Sequence, residues 1–348
     1  MSQLNASKAG LETLASSETR VPESILVVGT GSAGSRHMEN ARLLGVGSIS
    51  VLSTGLGVRT KEIPSQVRVF TDFEAALSVG IKAAILANPT SLHVPCALAA
   101  AKAGCHLLIE KPLSCSLASV DDLVAEVAAR KLVAMVGYQF RFHPTLLRIR
   151  HWLKDEAIGE VVSARASWGE YLPAWQPWRD YRTSYAARKS LGGGVVLTLS
   201  HPIDYLRWLL GEIESVSATM RCHGGLELDV EDTALLQLEF VNSVVASVQL
   251  DFVQRPPEHH LTIVGRKGVI RWNNADGVAI LDTHHERFIA TPPESFERND
   301  MFVSEMSHFF REIRGVSEPF CSLADGERVL RICLAAKESA IEGRRVDV

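Results

Sequence analysis

Positive charge is not in surplus in this chain, and it has no long apolar run and no paired cysteine motif. Lys and Arg total 36 against 40 Asp and Glu, a formal net charge of −4. That balance argues against a nucleic-acid binder working through a basic surface. No run of consecutive apolar residues is long enough to cross a bilayer, so no membrane partner is expected. The N-terminal stretch is rich in Ser, Ala and Glu and lacks an apolar core, so it does not read as a signal peptide. Residues 1–20 are expected to form a flexible tail, and the protein to be cytoplasmic. The six cysteines are Cys96, Cys105, Cys115, Cys222, Cys321 and Cys333, with no C-x-x-C pair among them. Reduced thiols suit this pattern better than a disulfide frame or a zinc site. The pairs His259-His260 and His284-His285 chelate poorly, because neighbours on a strand face opposite ways; no metal is expected. Core material is plentiful: 46% of the 348 residues are apolar. A chain of this length exceeds what one hydrophobic core usually supports, which predicts two domains.

Residues 24–34 read S-I-L-V-V-G-T-G-S-A-G, and residues 35–44 carry a helical pattern. An apolar run feeding a G-x-G-x-x-G turn is how a βα unit grips a dinucleotide. Gly29 permits the tight turn, Gly31 lets the backbone approach the pyrophosphate, and Gly34 lets the helix pack on the strand. The N–H groups at the helix start, those of Ser32 and Ala33 included, point at the phosphates. Cofactor choice falls to the end of the second strand. An acidic residue there would bind the ribose 2′-hydroxyl of NAD and repel a 2′-phosphate. This chain has Ser53 and Thr54 instead, with Arg59 nearby. The expected cofactor is NADP or NAD, with NADP preferred.

Strands are predicted at 24–28, 48–52, 67–70, 83–86, 105–109 and 132–136, with helical patterns between them. This rhythm gives a doubly wound parallel sheet, which binds ligands beyond the carboxyl ends of its strands. Gly29, Ser53, Asn88-Pro89, Glu110-Lys111 and Gly137-Tyr138 lie at such ends and form one rim. The character changes near 138–144. A strand is predicted at 161–171; those at 215–222, 233–241, 244–252, 261–264, 269–272 and 278–281 follow one another and read as an antiparallel meander, with tight hairpins at Asn242-Ser243 and at 265–268. Helices are predicted at 201–210, 302–313 and 326–340.

Four segments together resemble the Gfo/Idh/MocA family of oxidoreductases: Gly29 to Gly34 followed by His37; A-N-P-T-S-L-H at 87–93; residues 104–112 ending in Glu110-Lys111-Pro112; and Gly192-Gly193-Gly194 followed by His201-Pro202-Ile203-Asp204. The stretch 169–211 is similar to members found with amino-sugar and surface-polysaccharide pathways. The resemblance implies a Rossmann domain at 21–140 and a substrate-binding and oligomerisation domain at 141–348. The second domain is expected to be α+β with a large open-faced, mostly antiparallel sheet. It also implies a nicotinamide cofactor, hydride transfer on a sugar-like substrate, and a homodimer or homotetramer. Asn88, Pro89, His93, Glu110, Lys111 and Gln139 then join the cofactor site, and Arg141 and His143 the substrate cleft.

Hydride transfer at a carbinol needs a partner for the hydroxyl proton. Lys111, at a strand end beside the expected nicotinamide, is one candidate. His201, whose imidazole ordinarily titrates near neutrality, is expected to be the better relay. Asp204, one helical turn on, is expected to orient His201 or bind a substrate hydroxyl. The family often places an aspartate between the glycines and the histidine; here Thr198 stands near that point, and Asp204, Tyr171 and Tyr181 are the candidate substitutes. Tyr171, Arg179 and Tyr181 belong to an aromatic-basic loop suited to a sugar face, a phosphate or a subunit interface. The expected activity is an NAD(P)-dependent oxidoreductase acting on the CH–OH groups of a sugar, amino sugar or polyol. A metabolite sensor on the same fold is one competing reading, but it has no need of Lys111 with His201. Redox-assisted elimination or epimerisation with recycled cofactor is the other.

Overall fold

A computed structural model describes residues 21–55 and 62–348. The first half alternates strand and helix as its apolar runs and breaks dictate. β1 (Ser24–Val28), α1 (Ser32–Leu43), β2 (Ser48–Leu52), β3 (Arg68–Phe70), α2 (Phe73–Leu77) and β4 (Ala83–Leu86) lead to α3 (His93–Lys102) and β5 (His106–Glu110). α4 (Val120–Ala129) and β6 (Ala134–Gly137) complete it. All six strands are parallel, in the order β3-β2-β1-β4-β5-β6. This is a doubly wound Rossmann sheet whose order reverses between β1 and β4, opening a crevice at their carboxyl ends. Ile25 to Val28 and Ala83 to Leu86 are wholly buried, as parallel strands covered on both faces require. Gly29, at φ +108°, is irreplaceable at the mouth of the crevice: a Cβ there would lie 2.7 Å from the Ala87 carbonyl oxygen.

The second half holds α5 (Pro144–Lys154), β7 (Val161–Gly169), α6 (Val195–Thr198) and α7 (His201–Leu210). The strands β8 (Ile213–Arg221), β9 (Thr233–Phe240), β10 (Val245–Asp251), β11 (Glu258–Gly265), β12 (Gly268–Asn273), β13 (Ala279–Thr283) and β14 (Arg287–Ala290) follow. α8 (Arg298–Ile313), α9 (Leu323–Glu342) and β15 (Val346–Asp347) end the chain. The nine-stranded sheet runs β14-β13-β12-β11-β7-β10-β9-β8-β15. It is mostly antiparallel, but not the simple meander expected from the run of strands. β7 lies between β11 and β10 and pairs with β10 in parallel. Strict alternation marks two unlike faces: Ala234, Leu236, Leu238 and Phe240 of β9 point inward, while Leu235 and Gln237 point out.

α5 and the short strands β14 and β15 were not anticipated. α5 starts at Pro144, a good first helical residue, after His143, whose Nδ1 accepts from the Thr145 N–H at 3.3 Å; the Thr145 hydroxyl, 3.0 Å from the same nitrogen, donates to the Gly277 carbonyl at 2.7 Å. The Val136 N–H donates to the Cys321 carbonyl, and Asn299 of α8 exchanges amide hydrogen bonds with Asn40 of α1 at 2.8 and 3.4 Å. The C-terminal helices therefore pack back onto the Rossmann domain.

His93, His143, His201 and His259 are all buried, and burial pulls each below the usual imidazole value. Unfolding frees these rings to bind protons, so stability falls as pH drops below roughly 6.5, where the unfolded rings charge first. For His143, lowered to about 4, the loss by pH 4 is on the order of 3 kcal/mol. Thermal melts should show this acid limb, and His143→Asn, which keeps an acceptor at the cap, should flatten part of it.

Candidate active site

The dinucleotide cradle is built by backbone. α1 begins at Ser32 with no side-chain cap and no acid in its first turn, leaving the N–H groups there open to an anion. The Cβ direction of Gly31 meets no atom within 4 Å, whereas a Cβ on Gly34 would lie 2.0 Å from the Gly29 carbonyl oxygen. Gly31 thus keeps space for a ligand, and Gly34 keeps the helix against its own strand. Ser32 and Ala33 form the first turn. At the end of β2, Ser53 is buried and Thr54 exposed; Arg59 lies outside the described residues. At the end of β4 the Asn88 side-chain oxygen is buried with no partner, as a site awaiting a donor would leave it. Pro89 opens a single turn that leads into α3. His93 is a brace: Nδ1 sits 2.9 Å from the Pro112 carbonyl and Nε2 2.9 Å from that of Asn88.

Glu110 and Lys111 end β5. His37 of α1 contacts a Glu110 carboxylate oxygen through Nε2 at 2.9 Å. Burial alone would raise the Glu110 carboxyl, but the bond to His37 and nearby positive charge outweigh it and hold the group low. The Lys111 ammonium reaches across to the second half of the molecule and donates to the Thr198 carbonyl at 2.6 Å. That carbonyl ends α6, and the residue four places on is Pro202, which has no N–H to offer it. Burial lowers Lys111 to about 8; Glu110 and Glu170 oppose the shift and Arg298 adds to it. His201 opens α7, 1% exposed, with a buried and unpartnered Nδ1. Burial, then the Lys111 charge, hold its ring neutral. The titration near neutrality expected of His201 therefore falls to Lys111. Around His201 stand Tyr138 and Phe140, with ring centroids at 5.5 and 4.9 Å, and Trp168 at 5.5 Å. His259 stacks on Trp168 at 4.4 Å and 3°.

An open phosphate cradle at the switch point, Lys111 at the end of β5 and His201 at the start of α7 are therefore the parts of the candidate site. Residues 24–138 match the oxidoreductase family, NAD-binding Rossmann fold, and residues 146–271 match the GFO/IDH/MocA C-terminal domain. The chain belongs to the Gfo/Idh/MocA family. It is 25% identical to myo-inositol 2-dehydrogenase of Thermotoga maritima over 92% of this chain and 97% of that protein. It is 26% identical to levoglucosan dehydrogenase of Pseudarthrobacter phenanthrenivorans over 76% and 79%. The WlbA dehydrogenase of Bordetella pertussis, solved with NADH and UDP-GlcNAcA, shares the fold: its TM-score is 0.79 at 22% identity, covering 94% of this chain and 98% of that one.

Several residues expected in the substrate cleft of this Gfo/Idh/MocA chain have other work. Asp204 and Arg141, 1% and 2% exposed, bind each other. Arg141 Nε reaches both Asp204 oxygens at 3.0 and 3.2 Å, its NH2 nitrogen one of them at 2.6 Å, and its NH1 nitrogen the Phe320 carbonyl at 2.8 Å. Burial works against the guanidinium charge, but Asp204 more than offsets it. Neither group is free to orient His201 or hold a sugar hydroxyl. His143 is the helix cap described above. Tyr181 donates to the Leu226 carbonyl at 3.1 Å, and Tyr171 lies under the Arg255 guanidinium at 4.0 Å. Arg179 donates to Thr183 and Gln176 in its own loop. Among the described residues no hydrogen bond, ion pair or ring contact joins these three to Lys111 or His201. Gln139 is buried, with an unpartnered side-chain oxygen. The sequence reading missed Glu170, Arg298 and the Thr198 carbonyl. Only the carbonyl left a trace in the sequence, through Pro202.

Asp204→Asn leaves the buried Arg141 with only Asp325, at 3.5 Å, as a counter-charge. The expected result is a loss of stability of about 3–5 kcal/mol in denaturant titrations. Dinucleotide affinity of the folded fraction should be unchanged by calorimetry.

Proposed function

We propose that the protein oxidises, or in reverse reduces, a secondary carbinol of a sugar, amino sugar or related polyol, with Lys111 as acid and base and His201 as a neutral hydrogen-bonding partner. The observation that carries this reading is the Lys111 ammonium, lowered to about 8 and held 2.6 Å from the Thr198 carbonyl beside His201. Relatives named for myo-inositol and levoglucosan support a polyhydroxylated substrate. Gly31, the α1 N-terminus, Asn88 and Gln139 would hold the dinucleotide. A bound nicotinamide supplies the acceptor or donor of a hydride, one hydrogen with two electrons. In oxidation the neutral Lys111 amine takes the hydroxyl proton as the carbinol C–O becomes a carbonyl; in reduction the ammonium returns it. His201, uncharged, steadies the same oxygen without competing for the proton. The aromatic wall of Tyr138, Phe140 and Trp168 keeps water from the pair.

Ser53 and Thr54 at the end of β2 put no carboxylate against a 2′-phosphate, which supports NADP in addition to NAD. The uncovered face of the nine-stranded sheet supports a homodimer or homotetramer. Leu235 and Val245 stand exposed there, beside a recess of about 800 Å³ lined by Arg165, Gln237 and Arg344. Sedimentation as a monomer would remove the oligomer from this reading.

Lys111→Ala should keep dinucleotide affinity and lower kcat by on the order of a hundredfold to ten-thousandfold. In the parent enzyme, kcat/KM for oxidation should rise with pH and level off above about 8, because the working base is the neutral amine. Normal turnover of a true substrate by Lys111→Ala would end the assignment. Gly31→Asp should abolish binding of both NAD and NADP in a protein that still folds, since the added carboxylate enters the phosphate space. Titration of both cofactors, side by side, checks the cradle and the 2′-phosphate preference together.

A further inference from the structure

We propose that Glu231 is a positioning residue for Lys111, fixing the α6 turn whose last carbonyl receives the lysine. The inference rests on the reading of Lys111 given above. Glu231 lies in the segment between β8 and β9, and its neighbour anchors it. The Asp232 N–H donates to the Arg221 carbonyl at 3.0 Å, and the Asp232 carbonyl accepts from the Phe252 N–H at 2.9 Å. The buried Asp232 carboxylate accepts from the His223 N–H at 2.8 Å. The backbone that carries the Glu231 side chain is thereby tied to the ends of β8 and β10.

From that base Glu231 binds the start of α6 twice. Its carbonyl accepts from the Val195 N–H at 3.1 Å, and its Oε1 accepts from the Val196 N–H at 3.4 Å. The same Oε1 receives the Lys337 ammonium of α9 at 3.2 Å. Gly194, the last glycine of the run 192–194, makes room for the carboxylate: at φ +104° it would place a Cβ 2.3 Å from Oε1. The Gly194 carbonyl in turn accepts from the Thr198 N–H at 3.0 Å and closes the turn, and the Thr198 carbonyl accepts from Lys111 at 2.6 Å. Hydrogen bonds and one turn of backbone therefore connect Lys337, through Glu231 and α6, to Lys111.

α6 depends on such outside support. A single turn forms too few bonds of its own to hold its shape, and its first N–H groups have no partner within it. Its N-cap residue, Gly194, has no side chain to offer them, so the cap comes from Glu231, distant in sequence. On α9, one turn before Lys337, the Cys333 thiol lies 4.0 Å from the Val196 carbonyl oxygen, so the same helix meets α6 at two points. With its start released, α6 would carry the Thr198 carbonyl away from the place that holds the lysine. A displacement of about 1 Å at a reacting group costs on the order of a hundredfold in rate. Glu231 acts through that carbonyl and has no part in the proton transfer itself.

Glu231→Ala removes both bonds to the carboxylate, whereas Glu231→Gln keeps an oxygen that can accept them. The full chain is treated with acetic anhydride, which acylates only the neutral amine, and labelling of Lys111 is timed by peptide mass spectrometry. Lys111 should label roughly tenfold faster in Glu231→Ala, the weight of one lost hydrogen bond to a charged group, and return toward the parent rate in Glu231→Gln. With any sugar or polyol that the parent oxidises, Glu231→Ala should lower kcat by about tenfold to a hundredfold, with KM and dinucleotide affinity little changed. Added to Lys111→Ala, the same substitution should cost nothing further, because the two share one path. Unchanged labelling in folded Glu231→Ala overturns the proposal, and so does an equal rise in Glu231→Gln. A full further loss on top of Lys111→Ala also overturns it, since the side chain would then support the site at large and not the lysine. If Glu231→Ala does not fold, Lys337→Met, which takes one of the two donors from Oε1, is labelled instead. It should give a smaller rise in the same direction, and no rise overturns the proposal. Failure of the parent chain to bind NAD or NADP would strike the reading of the site as an oxidoreductase while leaving the labelling result standing.

Discussion

A hydrogen bond from the Lys111 ammonium to the Thr198 carbonyl ties the Rossmann half of the molecule to the second half at the candidate site. It exists because of an absence. α6 is a single turn, so its last carbonyls have no partner within the helix, and Pro202, four places beyond Thr198, has no N–H to offer; the lone pair is left for the lysine. A carbonyl carries only a partial negative charge, so it holds the ammonium in place without paying the full cost of burying it. The group consequently gives up its proton far more readily than an exposed lysine. Position and reactivity come from the same contact.

Around that contact the molecule spends its strong electrostatics on rigidity. The Arg141–Asp204 pair joins the segment after β6 to α7. Asp325, which closes the capping box of α9 with Ser322, also receives Arg207 of α7 at 2.7 Å. These bonds fix α7, and with it His201, against the Rossmann sheet. Buried pairs of this kind are costly to form and more costly to break, so they set a geometry more than they add stability. The same economy appears at His37, His93 and His143, which serve as braces and caps. Histidines in this chain are mostly structural, and the one in the cleft is kept neutral by its surroundings.

The fold was legible in the chain because its signals are local. An apolar run, a glycine turn and a helix start are contiguous at 24–43, and the period of two along β9 and β10 needs no distant partner to be read. Strand order is another matter. The insertion of β7 between β11 and β10 depends on which edges are free once the sheet assembles, and no residue of β7 announces it. α5 was passed over because its cap is a histidine, a residue that seldom marks a helix start.

For the site, the sequence by itself determined the candidate groups: a phosphate cradle from Gly29, Gly31 and Gly34, a lysine at the end of β5 and a histidine at the start of α7. Those assignments rest on backbone geometry and on residue type, which short segments carry. Only the tertiary structure decided how the groups divide the work. Burial depth made Lys111 the group that titrates and His201 the one that does not. The pairing of Arg141 with Asp204 commits two polar residues to each other. Charge, solvent access and hydrogen-bond partners are set by whatever packs alongside, and in this protein those neighbours are distant in sequence.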